Sequence, residues 1–224
     1  MEHFFNFHTH LLPETPEEKS IYNLLNREID NLEFDERQWI SVGIHPWYAN
    51  AENWETQLLK IEKLAVLPQV KAIGECGLDK LIDLPLEIQL LIFEAQVKLA
   101  ERLQKPVIIH CVKAFNELIR WKKQRKVNVP LIVHGFNNKP QIAQQLLSHG
   151  LYLSLGTALL TLNSNASKVL KEMPLERLFL ENDNDNITVS IVYDIAGQIT
   201  GKTSLELRKQ LWQNFVGISG YTHF

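Results

Sequence analysis

Seven ionisable residues in the sequence directly follow or end short apolar runs of the kind that form β-strands. They are His8, His10, His45, Glu75, His110, His134 and Asp183. Imidazole nitrogens and carboxylate oxygens are ligands for Zn²⁺ and for harder divalent ions. If the seven groups converge in the fold, they would repel one another or need extensive solvation, and bound cations would resolve that cost. The joint pattern therefore predicts a metal site.

Each of these residues has a simpler interpretation when it is taken alone. A single histidine at a strand end is more often a structural residue than a ligand. Glu75 alone could cap a helix, and Asp183 alone could be an N-cap in a polar loop. The pair His8 and His10 is more informative, because residues i and i+2 of a strand point to the same side.

Glu75 lies in the segment Val70–Asp79, which reads as a buried strand that carries a carboxylate between two glycines. A charge in such a strand is costly unless something binds it. Gly74 and Gly77 remove side-chain bulk on both sides of Glu75, so backbone or ligand can approach closely. We therefore expect Glu75 to face a cation.

Strands alternate with helices from Trp39 onward, which favours parallel βαβ units. We count eight strands, near residues 4–7, 21–25, 39–44, 70–79, 107–109, 130–133, 151–155 and 177–180. Eight is the number that a TIM-type (β/α)8 barrel needs, and all strand ends of such a barrel open onto one face. Leu11–Ser20 reads as a loop. The interval from His10 to His45 is short, so we expect a barrel in which the helix between strands 1 and 2 is missing. The sequence contains no G-x-G-x-x-G or Walker pattern, which would favour an open doubly wound sheet.

The composition is that of a globular domain, with 45% apolar and 22% charged residues, and we expect residues 1–224 to form a single domain. No apolar run reaches the length of about 18 residues needed to span a membrane, and no secretory signal is recognisable. Two cysteines provide no disulfide framework, so we expect a cytoplasmic protein with no membrane partner. The net charge of −3 does not indicate a polyanion partner for the whole chain.

Six segments occur in an order that resembles the TatD family of metal-dependent deoxyribonucleases in the amidohydrolase superfamily. They are Phe7-His8-Thr9-His10, Gly43-Ile44-His45-Pro46, Gly74-Glu75-Cys76-Gly77-Leu78-Asp79, Pro106-Val107-Ile108-Ile109-His110, Val133-His134-Gly135-Phe136 and the run from Pro174 to Asp183. The resemblance extends from about Phe4 to about Asp183.

This resemblance implies a site with two divalent ions, Zn, Mn or Mg. It places His8, His10 and Asp183 on one ion, His110 and His134 on the other, and Glu75 as the bridge between them. It also implies that His45 contacts a substrate phosphate. Two such ions can activate a hydroxide and stabilise the attacking and leaving oxygens of a phosphodiester, and Asp183 could take the proton of the water.

The resemblance further implies that the substrate is DNA or an oligonucleotide, and we expect a monomer. Two alternatives remain open at this point. One is an amidohydrolase-type enzyme for a small amide, lactone or phosphoester, suggested by short substrate loops and the acidic net charge. The other is a metal-binding barrel without turnover that serves as an interaction protein. It is suggested by Val112, where many relatives have the Arg of an Arg-Asp pair, and by the missing loop after strand eight.

Two further features are interpreted as structural. The basic cluster from Trp121 to Lys126 could meet a phosphate backbone, but a solvated helix end is the better interpretation. Cys76 and Cys111 each follow a proposed ligand, and strand alternation would turn them away from the metal. We expect both to be buried thiols.

Overall fold

The computed structural model describes residues 3–13, 15–25 and 37–221. The sequence predicts a polar stretch from Asn31 to Gln38, and most of it lies outside these residues. The strands are β1 (Phe4–Thr9), β2 (Glu18–Leu25), β3 (Trp39–Gly43), β4 (Val70–Asp79), β5 (Val107–Val112), β6 (Leu131–Val133), β7 (Tyr152–Leu155) and β8 (Leu178–Leu180). The helices are α1 (Trp54–Ala65), α2 (Leu86–Leu103), α3 (Phe115–Gln124), α4 (Pro140–Ser148), α5 (Asn165–Glu172), α6 (Val189–Thr200) and α7 (Ser204–Ser219).

The eight predicted strands are confirmed, and they follow one another in the sheet in chain order. The pairs β3–β4, β4–β5 and β7–β8 are parallel. The first strand also lies beside the last, because a parallel bridge joins Thr9 to Asp183. Among the described residues between β1 and β2, which are 10–13 and 15–17, there is no helix.

The prediction of a loop from Leu11 to Ser20 is wrong at its end, because β2 begins at Glu18. The polar start of this strand is held by contacts that no local pattern reveals. The side-chain amide of Asn6 donates to Oε1 of Glu18 at 2.7 Å. The backbone N–H of Phe4 donates to the carbonyl of Glu17 at 2.7 Å.

The apolar residues of α2 at helical spacing predict a buried stripe that is rotated relative to the face actually buried. The spacing predicts Ile88, Leu91, Ile92, Ala95, Leu99 and Leu103, whereas the buried set is Gln89, Ile92, Phe93, Gln96, Val97, Leu99 and Ala100. Leu91 is 51% exposed. Two glutamines therefore lie on the packed face of α2, where they replace apolar residues that periodicity alone would place there.

The described chain divides into two compact units, residues 1–21 with 133–224 and residues 22–132. Aromatic rings fill the first unit. Phe7 stacks on Phe179 with ring centroids 4.2 Å apart, and Phe5 lies 4.6 Å from Phe215. The hydroxyl of Tyr193 donates to the carbonyl of Phe5 at 2.9 Å. This packing fixes β1 and β8, whose ends carry several of the predicted site residues.

In the second unit β4 lies between β3 and β5, and two glycines of β4 allow close packing. A Cβ atom on Gly74, whose φ is +138°, would lie 2.5 Å from the carbonyl oxygen of Ile108. A Cβ atom on Gly77, whose φ is +150°, would overlap the carbonyl oxygen of His110. The close approach that the sequence indicated around Glu75 is therefore an approach of backbone from β5.

The last helix, α7, starts at a capping box, in which the Thr203 hydroxyl accepts from the backbone N–H of Glu206 and the Glu206 carboxylate accepts from the Thr203 N–H. Within residues 3–13, 15–25 and 37–221, no helix combines the length and apolar character required to cross a bilayer.

Candidate metal centre

The first unit brings together four of the predicted ligands at the ends of β1, β6 and β8. They are His8, His10, His134 and Asp183. The His8 and His134 rings lie with centroids 4.3 Å apart, and the His8 and His10 rings lie 5.2 Å apart. His8 is fully buried, whereas the side chain of Asp183 is 42% exposed. The group is therefore buried at His8 and open to solvent at Asp183.

The spacing of these atoms fits ligands of one ion better than a hydrogen-bonded cluster. Nε2 of His8 and Nε2 of His10 lie 3.5 Å and 3.6 Å from Oδ1 of Asp183. Hydrogen bonds between nitrogen and oxygen are shorter, about 2.7–3.2 Å. Two ligand atoms about 2.1 Å from one ion at a tetrahedral angle would lie about 3.4 Å apart. The donor set therefore fits a divalent cation.

The backbone of Asp183 turns its carboxylate toward β1. Asp183 has a φ of +54°, a left-handed conformation that aspartate tolerates better than most residues. Its N–H donates to the carbonyl of His8 at 3.2 Å, and its own carbonyl accepts from the N–H of His10 at 2.9 Å. The hydroxyl of Thr9 donates to the same carbonyl at 3.1 Å. These bonds hold Asp183 against both histidines of the His-x-His pair.

A buried carboxylate behind His134 sets the orientation of its ring. Oε1 of Glu181, which is fully buried, lies 3.2 Å from Nδ1 of His134 and accepts from the backbone N–H of Gly135 at 2.7 Å. A carboxylate can only accept, so Nδ1 of His134 carries the proton and Nε2 keeps its lone pair. Such carboxylate–histidine pairs typically support a metal ligand. The sequence did not reveal this role of Glu181.

The second unit holds another donor set, formed by Glu75, His45 and His110. Oε1 of Glu75 lies 2.8 Å from Nδ1 of His110 and 3.1 Å from Nε2 of His45. The two imidazole nitrogens are 3.3 Å from each other. All three residues are buried. One ligand atom from each lies within 4.8 Å of the others, so this group could also bind an ion.

Within this group His45 suits hydrogen-bond donation better than ligation. Its Nδ1 accepts from the backbone N–H of Trp47 at 3.1 Å, which makes His45 the N-cap of the short 3-10 helix Pro46–Tyr48. A neutral imidazole whose Nδ1 accepts carries its proton on Nε2. That proton points at Glu75, so Nε2 of His45 has no lone pair to offer a metal.

His110 lies between two carboxylates. Its Nδ1 faces Glu75, and its Nε2 lies 3.3 Å from Oδ2 of Asp79. A neutral imidazole has a single N–H and can donate to only one of the two. Donation from Nε2 to Asp79 would leave the Nδ1 lone pair available to ligate an ion beside Glu75.

Asp79 is buried, and burial by itself raises the pKa of a carboxyl group. Hydrogen bonds from the indole of Trp47 and the backbone N–H of Leu81, with the contact to His110, outweigh burial and hold the pKa of Asp79 below its ordinary value. The indole Nε1 donates to Oδ2 at 2.7 Å and Leu81 donates to Oδ1 at 2.8 Å. Asp79 is thus an ionised acceptor for His110.

Three side-chain amides fix these residues, and the sequence analysis missed all of them. The amide of Asn23 accepts from the Glu75 N–H at 2.8 Å and donates to Oε2 of Glu75 at 3.3 Å. Gln89 accepts from the Asp79 N–H at 2.7 Å and donates to the Asp79 carbonyl at 2.9 Å. Gln96 accepts from the N–H of Ile44, the residue before His45, at 2.6 Å. Polar residues on a packed helix face are the signal that could have found two of them.

The two structural predictions about thiols and lysines agree with the coordinates. Cys76 and Cys111 are buried, and burial raises the pKa of both thiols, so neither is a thiolate ligand at neutral pH. Trp121 packs in the core with its ring centroid 4.8 Å from Phe93. Lys123 to Lys126 are exposed at the end of α3.

Of the predicted site residues, the first unit thus gathers His8, His10, His134 and Asp183, and the second gathers His45, Glu75 and His110. The role of each residue, including the bridge at Glu75 and the phosphate contact of His45, stays a prediction.

Fold and site geometry together define an α/β barrel with a candidate metal site, and comparison with known proteins identifies its family. The family model for TatD related DNase matches residues 17–217, so the chain belongs to the TatD family. A 3′-5′ ssDNA/RNA exonuclease TatD from Rahnella is 37% identical over 152 residues, which cover 65% of this chain and 56% of the relative. The deoxyribonuclease Tat-D of Schizosaccharomyces pombe is 32% identical over 156 residues, 64% of this chain and 50% of the relative. The matched region thus spans little more than half the length of these relatives.

Solved structures of the same family confirm the fold. YjjV, a TatD homologue from Escherichia coli K12, superimposes with a TM-score of 0.81, with 98% of both chains covered and 22% sequence identity. A TatD family hydrolase from Entamoeba histolytica gives a TM-score of 0.77 over 99% of both chains at 17% identity. The predicted TIM-type barrel is therefore correct.

Proposed function

We propose that this protein is a metal-dependent phosphodiester hydrolase that cleaves DNA or short oligonucleotides. The observation that carries the proposal is the first-unit donor set, in which two imidazole nitrogens approach one carboxylate oxygen of Asp183 at 3.5 Å and 3.6 Å. Membership of the TatD family supports it, as do relatives named for deoxyribonuclease or 3′-5′ exonuclease activity.

We propose His8, His10, His134 and Asp183 as metal ligands in the first unit, and Glu75 and His110 in the second. Divalent ions bound there would supply Lewis acidity for the phosphoryl oxygen and a nucleophilic water near neutral pH. The ions would be two in number and Zn, Mn or Mg in kind. Their sharing of ligands through Glu75 follows from the family resemblance alone.

The other side chains hold and move protons around these ligands. His45 offers its Nε2 proton to an anionic oxygen, which a substrate phosphate would provide in place of Glu75. The carboxylate of Asp183 is half exposed and can accept the proton of the attacking water. Glu181 and Asp79 keep His134 and His110 in the tautomers that leave Nε2 and Nδ1, respectively, available for ligation.

The test is release of nucleotides from end-labelled single-stranded DNA and RNA by protein purified without chelator, with Mg²⁺, Mn²⁺ or Zn²⁺ supplied. Separate 3′ and 5′ labels report the direction of cleavage. We expect activity that EDTA abolishes and that Glu75→Gln lowers by about 100-fold or more. Glu172→Gln, a change of the same type at an exposed position of α5, should leave activity unchanged.

Activity that survives both EDTA and Glu75→Gln would contradict the proposal. The same preparation decides between the two alternatives drawn from the sequence. Turnover of small amides, lactones or phosphoesters with DNA left intact would favour the small-substrate enzyme. Bound metal without hydrolysis of any substrate would favour an interaction protein. A monomeric state and a cytoplasmic location stay predictions.

A further inference from the structure

One aromatic side chain beside the second-unit donor set is exposed and yet held in place. Trp47 is 60% exposed, whereas its neighbours His45 and Asp79 are buried. Its ring centroid lies 5.0 Å from that of His45 and 6.0 Å from that of His110. Burial of a large aromatic side chain contributes about 1.5–3 kcal/mol to folding. The exposed position of this indole, which lacks that contribution, therefore needs an explanation.

Two hydrogen bonds fix the orientation of this indole. The ring Nε1–H donates to Oδ2 of Asp79 at 2.7 Å, and the backbone N–H of Trp47 donates to Nδ1 of His45 at 3.1 Å. The ring is therefore anchored at its polar edge, which is its single hydrogen-bonding group. The apolar faces of the ring stay accessible to solvent or to a bound molecule, and they lie beside the second-unit donor set.

We propose that Trp47 is a stacking platform for an unpaired nucleobase of the substrate, next to the phosphodiester that is cleaved. The inference rests on the proposed function, which it deepens by naming the residue that would hold a base of the substrate. Every base has a π-face, so a platform of this kind binds strands without reading their sequence. A base inside a duplex has both faces covered by its neighbours, so the indole can bind only an unpaired or terminal base.

Anchoring before binding also explains why the hydrogen bond to Asp79 is present. A side chain that is already fixed loses little conformational entropy when a base stacks on it. The indole and the His110 ring share the same carboxylate oxygen, Oδ2 of Asp79. The stacked base and the candidate ligand are therefore positioned by one buried group.

The test measures binding of fluorescein-labelled single-stranded oligothymidylate by anisotropy, in a Glu75→Gln background that prevents turnover, with Mn²⁺ present. Trp47→Ala should weaken binding by about tenfold or more, since stacking contributes that much for each base. Trp47→Phe keeps an aromatic face and loses the indole N–H, so it should weaken binding by less than about threefold. Leu59→Ala provides the control, because Leu59 on α1 is exposed to the same degree, 59%.

A second measurement separates stacking from mere support of Asp79. An oligonucleotide with abasic residues at its 3′ end should bind the Trp47 protein about tenfold more weakly, and Trp47→Ala should show no further loss. In the active protein, Trp47→Ala should raise KM and leave kcat nearly unchanged. Equal defects in the Ala and Phe variants, or no effect of the abasic residues, would overturn the stacking role.

The outcome for Trp47 is independent of the outcome for hydrolysis. Metal-dependent hydrolysis of DNA that is indifferent to Trp47→Ala would defeat the platform and leave the proposed function standing. Base-dependent binding at Trp47 in a protein that hydrolyses no phosphodiester would support the platform and contradict the proposed function.

Discussion

Oε1 of Glu181 lies 3.2 Å from Nδ1 of His134, and the same oxygen accepts the backbone N–H of Gly135. The bond fixes the His134 ring with its Nε2 directed away from Glu181 and toward the group that contains His8 and Asp183. A fully buried carboxylate therefore supports the candidate ligands without being one of them.

Glu181→Ala should lower the affinity of the protein for Mn²⁺ or Zn²⁺ by about 10–100-fold, because the His134 ring loses the partner that orients it. Glu181→Gln keeps an oxygen acceptor and should therefore lose less metal affinity than Glu181→Ala. Calorimetric titration of metal-free protein measures both affinities. Glu172→Ala on α5 controls for the loss of a carboxylate, and an equal loss in that variant would contradict the role of Glu181.

Asn23→Ala should reduce both stability and metal affinity. The change leaves the buried N–H of Glu75 without its acceptor, which costs about 1–3 kcal/mol in the free energy of unfolding. It also removes the donor to Oε2 of Glu75, and we expect about 10-fold weaker metal binding. Urea denaturation and calorimetry provide the two values. Asn128→Ala, at an exposed position, should change neither.

Gly77→Ala should destabilise the protein by about 3 kcal/mol, because the new methyl group would overlap the carbonyl of His110 at a φ of +150°. Gly217→Ala is a matched change in α7 with no atom within 4 Å of the new methyl group. It should instead stabilise by about 0.5–1 kcal/mol. Denaturant titration of both variants checks the contrast, and a neutral Gly77→Ala would show that β4 and β5 pack less closely than described.

The capping box of α7 should give a pH-dependent stability. The hydrogen bond from the Thr203 N–H, with other contacts, holds the pKa of Glu206 below its ordinary value. Its stabilising effect is therefore full above the ordinary glutamate pKa and is lost as pH falls through the lower pKa of the folded state. The parent protein and Glu206→Gln should differ in their denaturation midpoints, and this difference should shrink as pH falls through that interval. Glu172→Gln controls for net charge, and a difference that grows at low pH would contradict this assignment.

The sequence predicted best what is local. A polar residue that follows a short apolar run marks the end of a strand, and this signal located His8, His110 and Asp183 at the ends of elements that the structure contains. The same signal placed Glu75 at the end of its strand, whereas β4 continues past Glu75 to Asp79.

What the sequence could not show are contacts between residues far apart in the chain. Asn23 contacts Glu75 across 52 positions, and Glu181 contacts His134 across 47. Nothing near either residue indicates its partner. Gln89 and Gln96 are buried on α2 although glutamine is usually exposed, so a stripe drawn from apolar residues alone leaves both of them out. Glu18 and its neighbours lack β-prone side chains, so the start of β2 was missed.

The support given by Gln89, Gln96 and Asn23 is electrically neutral. An amide neither gains nor loses a proton between strong acid and strong base, so acidification changes the charge on the imidazoles and carboxylates while these supports keep their hydrogen bonds. Protonation of the ligands should therefore release the metal while these three amides keep their partners, and restoring neutral pH with fresh metal should refill a site whose neutral supports have not changed.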